Sequence, residues 1–296
     1  MEQTEMFKPE DTRLSYSSAN LLRNCEQKYH HYKVTKKDVD SDAGARDNSH
    51  FAIGTSFHYV NEISMHTKPA KVIELLEKCV QDEGLNEDDV GLVHAMLIQY
   101  WRLRSKGEFH AVACEYKIDD KSVVGYVDLI EQTKDGYWTI SDLKTAASFY
   151  ESKIPELPRD RQLNLYGSYA KEIAKAHNLD IDKFLGCRYL VTTKSKAKQQ
   201  KKESYKEYVM RMVDKKLVRS YAIFIPKELM DYSGAKEEHM KLYKRSIQLR
   251  KGTAEPKKNY TYCNSFFRPC EYFSQCHGMT ATEYMENKQI IVEAIK

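Results

Sequence analysis

Asp128, Asp142 and Lys144 are the residues of this chain best placed by type and spacing to do chemistry together. Residues 122–132 (SVVGYVDLIEQ) and 137–145 (YWTISDLKT) alternate with a period near two and read as strands. Asp135-Gly136 between them marks a hairpin turn. Residues i and i+2 of a strand share a face, so Asp142 and Lys144 point the same way. The face taken by Asp128 depends on the loop. A two-residue loop pairs 134 with 137, sets Asp128 opposite Leu143 and leaves Asp142 on the other face. A three-residue loop, 134–136, pairs 133 with 137 and sets Asp128 opposite Asp142. The second geometry is expected, with Gly136 left-handed, or else a bulge. Two carboxylates on one face suit a hard divalent cation with oxygen ligands, Mg(II) or Mn(II). Such a cation polarises a phosphate and helps generate hydroxide from water. A nearby lysine can orient that water and stabilise the charge that develops on the phosphate. Taken alone, Asp-x-Lys is more often an incidental pair on a surface hairpin, so its context has to carry the argument.

Other chemistry-bearing residues are scattered. His58 falls in a predicted helix, where a lone histidine is usually structural; Glu62 is one turn on and could share its face. Gln162 and Tyr166 are i, i+4 on another predicted helix and can both donate to a phosphate or a carboxylate. Seven cysteines, an odd number, argue against a disulfide framework and raise the question of metal ligation. Three of them cluster as Cys263-x6-Cys270-x5-Cys276, and Cys25 would be a fourth ligand. Four thiolates suit an iron–sulfur cluster or structural zinc. Cys79, Cys114 and Cys187 sit in apolar surroundings and read as buried small hydrophobes. Residues 194–202 (KSKAKQQKK) hold five lysines and no acid, a run that is usually a solvated loop. Lys194, Lys196 and Lys198 could instead meet a phosphate backbone, and the absence of interleaved aromatics argues against base stacking.

The elements that must position these groups follow a simple order. Helices are expected over 17–34 (capped by Ser17 or Ser18), 49–65, 70–82 and 87–104. Strands are expected over 109–118, 122–132 and 137–145, then a helix over 159–177 and a buried strand over 184–193. A helix to about 217, a strand over 218–225, a helix over 227–251 and a terminal helix over 280–294 complete the chain. Helices, then a small sheet, then further helices and strands make an α/β domain with helical additions.

Composition sets the limits. The 296 residues are 30% charged and 41% hydrophobic, a polar globular balance with mean hydropathy −0.68. No apolar run approaches the roughly 18–20 residues of a membrane span. Met1-Glu2-Gln3-Thr4-Glu5 lacks the basic and apolar regions of a secretory signal, so an intracellular setting is expected. The net charge of +4 decides little by itself. No internal repeat and no Gly-x-x-x-x-Gly-Lys-[Ser/Thr] motif occurs, so no helicase motor is read here.

Together these motifs resemble a known family. Gly125-Tyr126-Val127-Asp128 followed by Asp142-Leu143-Lys144 looks like the core of the PD-(D/E)XK nuclease superfamily. Ser17 to Cys25 with Tyr29 and Lys33, Gly54-Thr55-Ser56-Phe57-His58, Gln162-Leu163-Asn164-Leu165-Tyr166 and the trailing cysteines resemble its RecB-like branch. That branch includes the AddB, CRISPR-adaptation and phage-type exonuclease families. The motifs stand in the family's order from about residue 15 to 278. The first C-terminal pair departs from the frequent Cys-x-x-Cys, since six residues intervene.

The resemblance implies a restriction-endonuclease-like α/β core, a small mixed sheet flanked by helices, in a single nuclease domain over 1–296. Within it, 15–108 would be an N-terminal helical part and 109–226 the catalytic core. Residues 227–296 would be a C-terminal helix and cysteine cluster closing onto Cys25. It implies that His58, Asp128, Asp142 and the Leu143 main-chain carbonyl hold Mn(II) or Mg(II), with Glu115 near the site. A neutral imidazole ligand tilts the preference toward Mn(II). Lys144 would position the attacking water, with Gln162 and Tyr166 assisting. Cys25, Cys263, Cys270 and Cys276 would hold a 4Fe-4S cluster, zinc being the alternative. The implied activity is exonucleolytic hydrolysis of DNA with free ends to 5′-phosphate products, in recombination, repair or end processing. A recombination or helicase partner is compatible with this, in a prokaryotic or phage-infected cytoplasm. An endonuclease and a catalytically inactive DNA-binding subunit are the alternatives.

Overall fold

The computed structural model describes residues 13–39, 49–64, 74, 76, 78, 86–265, 268–280 and 283. Of the helices expected over 70–82 and 280–294, only positions 74, 76, 78, 280 and 283 are among them, and Cys79 lies outside. In chain order the helices are α1 (Tyr16–Asn24), α2 (Glu26–Tyr29), α3 (Ser49–Ser64), α4 (Glu87–Ser105), α5 (Arg161–Gly167), α6 (Ala170–His177), α7 (Tyr205–Asp214), α8 (Tyr232–Arg250) and α9 (Phe273–His277). The strands are β1 (His110–Asp119), β2 (Val124–Gln132), β3 (Trp138–Ala146), β4 (Phe184–Thr193), β5 (Ser220–Pro226), β6 (Asn264–Ser265) and β7 (Arg268–Pro269). They fall into two compact units. One comprises Asn48–Ile118 and Tyr126–Lys236, the other Met1–Asp47, Asp119–Gly125 and Glu237–Lys296.

The larger unit is built around a five-stranded mixed sheet in the order β1-β2-β3-β4-β5. The β2–β3 hairpin closes through a three-residue loop. The Thr133 amide donates to the Tyr137 carbonyl at 2.7 Å, and Gly136 adopts φ +85°, a conformation costly for any residue with a Cβ. The register runs Gln132↔Trp138 to Leu129↔Ser141, and one further step puts Asp128 opposite Asp142. β3 then pairs in parallel with β4 (Asp142↔Tyr189, Lys144↔Val191), which requires the crossover that α5 and α6 supply. β4 is buried along almost its whole length and pairs antiparallel with β5.

The alternation of β2 and β3 sorts apolar from polar. Leu129 and Leu143, with Leu190 of β4, join one core with Phe57 and Val60 of α3, Leu92, Met96 and Tyr100 of α4, and Tyr208 and Met212 of α7. Burying each such leucine contributes about 1.5–3 kcal/mol. Because Leu143 faces this core, Asp142 and Lys144 on either side of it project from the opposite face. α4 starts at a capping box, Asn86 with Asp89, and α7 at another, Ser204 with Glu207.

Two expected helices differ in detail. The one expected over 159–177 begins at Arg161, where the Asp160 side chain caps the Leu163 amide at 2.9 Å. It breaks after Gly167, and the Ser168 hydroxyl turns back onto the Leu165 carbonyl at 2.6 Å. A 3-10 segment precedes it over Glu151–Arg159, where Pro155 and Pro158 lack the amides an α-helix would use. The helix expected over 17–34 is interrupted at Cys25, whose backbone is extended (φ −160°, ψ 111°), and ends in a π turn over His30–Val34. Its N-cap is Ser15, not Ser17 or Ser18: the Ser15 hydroxyl accepts from the Ser18 amide at 3.2 Å.

The smaller unit buries Leu14, Ala19, Leu22, Tyr29 and Leu249 together. Arg245 of α8 grips the Glu26 carboxylate through two bonds of 2.9 and 2.6 Å, a forked pairing that fixes orientation as well as charge. The C-terminal segment is tied to the Cys25 region by main-chain groups. Gln27 N donates to the Lys257 carbonyl at 3.1 Å, and the Asn259 amide group donates to the Asn24 carbonyl at 2.8 Å.

Candidate active site

A cavity of about 630 Å³ in the larger unit is lined by His58, Glu62, Glu115, Asp128, Lys144 and Lys194, among others. Each arrives for a local reason. Asp128 and Lys144 come from the hairpin register. His58 comes from α3, which approaches β3 closely at Gly54, where an added Cβ would lie 3.2 Å from the Thr145 hydroxyl. Glu115 comes from β1, an edge strand, and holds φ +47°. Among the described residues it is the one non-glycine position inside a strand with left-handed φ. Such a conformation costs on the order of 1 kcal/mol and re-aims the side chain.

One ligand atom each from His58, Glu115 and Asp128 lie within 4.8 Å of one another. His58 Nδ1 is 3.9 Å from Asp128 Oδ2. The same Asp128 Oδ2 accepts from the Leu143 amide at 2.6 Å. Asp142 stands behind this trio, 1% exposed. Lys144 Nζ donates to its Oδ1 at 3.0 Å and lies 2.9 Å from Oδ2. Oδ2 is buried and faces that ammonium. Lys144 also donates to Gln162 Oε1 at 2.9 Å, and the Gln162 amide group lies 3.4 Å from the Tyr166 hydroxyl. Gln162 and Tyr166 thus form a chain behind Lys144. Lys194 lines the cavity beyond the end of β4, while Lys196 and Lys198 are exposed and do not line it.

The acids of the cavity are buried and close to one another, and this shifts their titration. Burial, then the Asp128 charge, then Glu62, push Glu115 up to about 7. Burial raises Asp142 to about 7 against the pull of Lys144, and Asp128 adds to the rise. His58 is lowered, first by burial, so its ring is neutral at pH 7 and able to ligate. Lys144 is raised: burial alone would lower it, but the Asp142 carboxylate outweighs this. Burial raises Tyr166 to about 12, so it remains a hydroxyl donor. Three ligand atoms converging within 4.8 Å, two acids with raised pKa values and a neutral imidazole fit a hard divalent cation. Glu62 and Thr145 also line the cavity, and Thr145 carried no motif signal in the sequence.

The smaller unit holds a second pocket. Cys25, Cys263, Cys270 and Cys276 line it together with Lys258, Tyr272 and Phe273. Burial first, then Cys270 and Cys25, raise Cys263 and lift Cys276 to about 11. No three of the sulfurs lie within 4.8 Å of one another. Two histidines absent from the sequence reading approach them: His277 Nε2 lies 3.4 Å from Cys263 Sγ, and His31 Nε2 lies 3.7 Å from Cys276 Sγ. His277 follows Cys276 directly, a weak signal; His31 carried none. Cys187 is fully buried and Cys114 is partly buried. Among the described residues no helix is long and apolar enough to cross a membrane.

The chain is similar in fold to a crystal structure of a protein from Eubacterium rectale provisionally assigned as an exonuclease. The two share 10% identity with a TM-score of 0.52, over 95% of this chain and 94% of the other. No curated protein matches the chain. The family model of the PD-(D/E)XK nuclease superfamily matches residues 13–277, a span that holds both the acidic cavity and the four clustered cysteines. This chain belongs to the PD-(D/E)XK nuclease superfamily.

Proposed function

We propose that this protein is a metal-dependent DNA exonuclease of the RecB-like branch, hydrolysing phosphodiester bonds at free ends in recombination, repair or end processing. The observation that carries this reading is the convergence of His58, Glu115 and Asp128 within 4.8 Å, beside the Asp142–Lys144 ion pair. A divalent cation held by His58, Asp128, Asp142 and the Leu143 carbonyl, with Glu115 alongside, would polarise the scissile phosphate and lower the pKa of the attacking water.

The chain's own groups do the rest. Asp142 and Gln162 each take one donor of Lys144, leaving a third N–H for water or a phosphate oxygen. The adjacent Asp142 carboxylate raises the Lys144 pKa and favours its charged form. It therefore orients and stabilises; it does not act as a base. Tyr166 and Gln162 fix the rotamer of Lys144, which is how they assist the reaction.

The thiol pocket supports a second part of the proposal, that Cys25, Cys263, Cys270 and Cys276 hold an iron–sulfur cluster. A single zinc with bonds of about 2.3 Å draws its sulfurs to within about 4 Å of one another. Four thiolates lining one pocket would serve a polynuclear cluster as well as they would a single metal, and the reading taken here is the cluster.

The test is cleavage with Mn(II) of end-labelled linear DNA and of covalently closed circles, with EDTA and Lys144→Ala as controls. Loss of linear DNA alone, abolished by both controls, is expected. Cutting of circles would replace the exonuclease with an endonuclease. No cutting of either, by protein with its cluster absorbance intact, would make the chain a binding subunit.

A further inference from the structure

One face of α3 forms a wall of the acidic cavity. Thr55, His58, Tyr59 and Glu62, at i, i+3, i+4 and i+7, line it. Ile53, Phe57 and Val60 turn the other way into the core, which fixes the direction in which that wall faces. Tyr59 is 45% exposed, and among the described residues lining the cavity it carries the one phenol ring. Exposed tyrosines are common one at a time and by themselves assign nothing. Tyr59 differs in its place. It follows His58 directly, and His58 is one of the three groups whose ligand atoms converge within 4.8 Å.

The chemistry of the cavity limits what such a ring can take. Glu62, Glu115 and Asp128 repel an approaching phosphodiester, so charge alone draws a strand there weakly until a cation offsets them. Stacking of a nucleobase on an aromatic face needs no charge and accepts any base. Consecutive Cα atoms are about 3.8 Å apart, and a base is one sugar away from its phosphate. A ring next to His58 is therefore within reach of the base beside a phosphate held at His58, Glu115 and Asp128. The cavity, about 630 Å³, falls in the range of roughly 300–1,000 Å³ of pockets that enclose a small ligand. A base that enters such a pocket has left the duplex stack or comes from a single strand.

We propose that Tyr59 is a stacking platform for the nucleobase beside the scissile phosphate, and that the cavity therefore takes an unpaired DNA strand. This rests on the nuclease reading above. Tyr59 contributes to binding through the face of its ring, not through its hydroxyl and not through charge.

The test is a cycle between the ring and the base. Binding of short fluorescein-labelled single strands by the full chain is followed by anisotropy in Mn(II), in a Lys144→Ala background that leaves the strand uncut. Each strand of a set lacks the base at one position near its end. Tyr59→Ala is expected to raise Kd for the intact strand about tenfold, the size of one lost stacking contact. At one abasic position the protein with Tyr59 should lose the same factor, and Tyr59→Ala should lose nothing further. Tyr59→Phe should keep the affinity, and the slope of log affinity against log salt should be the same for all three. The single strand should bind more tightly than a duplex with cross-linked ends, and Tyr59→Ala should narrow that gap. Tyr137→Ala removes a tyrosine of equal exposure, 45%, beside the hairpin loop and should change nothing. Tyr59→Leu carries the cycle if the alanine variant fails to fold. Losses that add at every abasic position, or a Tyr59→Phe as weak as the alanine, overturn the proposal. So does a cross-linked duplex bound as tightly as the single strand. If the protein with Lys144 intact cuts no DNA at all, the nuclease reading fails, while the cycle still decides the stacking contact.

Discussion

The acidic cavity of the larger unit and the thiol pocket of the smaller one would offer a metal opposite kinds of donor. The cavity uses oxygen and imidazole donors from one hairpin, one edge strand and one helix, all backed by a continuous apolar core. Its positions follow from strand register, and its acids are held under mutual repulsion, with Glu115 and Asp142 both pushed up to about 7. The thiol pocket uses soft donors from two ends of the chain, tied by main-chain bonds such as Gln27 to Lys257. The first arrangement stores unfavourable charge for function. The second draws its thiols from distant segments, so a cluster held there, as proposed, would act as a staple. Removing an acid should relieve the cation-free protein, and removing a thiol should harm it.

The largest expected effect tests the cavity as the centre of catalysis. Lys144→Ala should lower DNA cleavage by about 10²–10³-fold or more, the range of a lost electrostatic or proton-positioning group. Cleavage at wild-type rate would place the chemistry elsewhere. Next comes the staple: Cys270→Ser should abolish absorbance near ~400 nm and lower Tm by roughly 5 °C or more. The same variant should leave the affinity of the acidic cavity for Mn(II) within about threefold, measured by calorimetry. A large loss of that affinity would mean the two sites are not independent.

The pH dependence is smaller and works with a definite sign. Burial first raises Glu115 and Asp142 in the folded protein to about 7, well above the usual carboxylate range. The stability these raised values contribute is fully present below about pH 4 and is lost as pH rises through about 7. A divalent cation binds the deprotonated carboxylates, so the rise in Tm on adding Mg(II) or Mn(II) should be larger at pH 8 than at pH 5.5. Glu115→Gln should raise the Tm of the cation-free protein at pH 8 while weakening the cation about tenfold. Equal thermal shifts at the two pH values would contradict this account of the cavity. The smallest effect is expected from Gly54→Ala. Its Cβ would press on the Thr145 hydroxyl at 3.2 Å and push α3 outward, weakening the cation about threefold. Thr145→Ala in the same background should recover the loss.

Strand boundaries are legible in the sequence because a strand's pattern is local. The strands read over 109–118, 122–132, 137–145, 184–193 and 218–225 differ from β1–β5 by no more than about two residues. The hairpin register was legible for the same reason: Asp135-Gly136 limited the loop to a few lengths, and one of them set Asp128 opposite Asp142. The break at Cys25 was not legible, since residues 17–34 keep helical spacing across it and only the C-terminal segment uses the interruption. The left-handed turn at Glu115 was equally hidden. Nothing in Cys114-Glu115-Tyr116 demands it.

The sequence by itself determined the sheet, the order of its motifs and the shared face of Asp128, Asp142 and Lys144, because turn chemistry and side-chain alternation act over a few residues. Tertiary structure alone decided that Glu115 joins His58 and Asp128 while Asp142 pairs with Lys144. It also chose Lys194 from a run of similar lysines, and brought His31 and His277 to the thiols. Those choices depend on distances between segments remote in the chain, and such distances are set by packing, which no local pattern encodes.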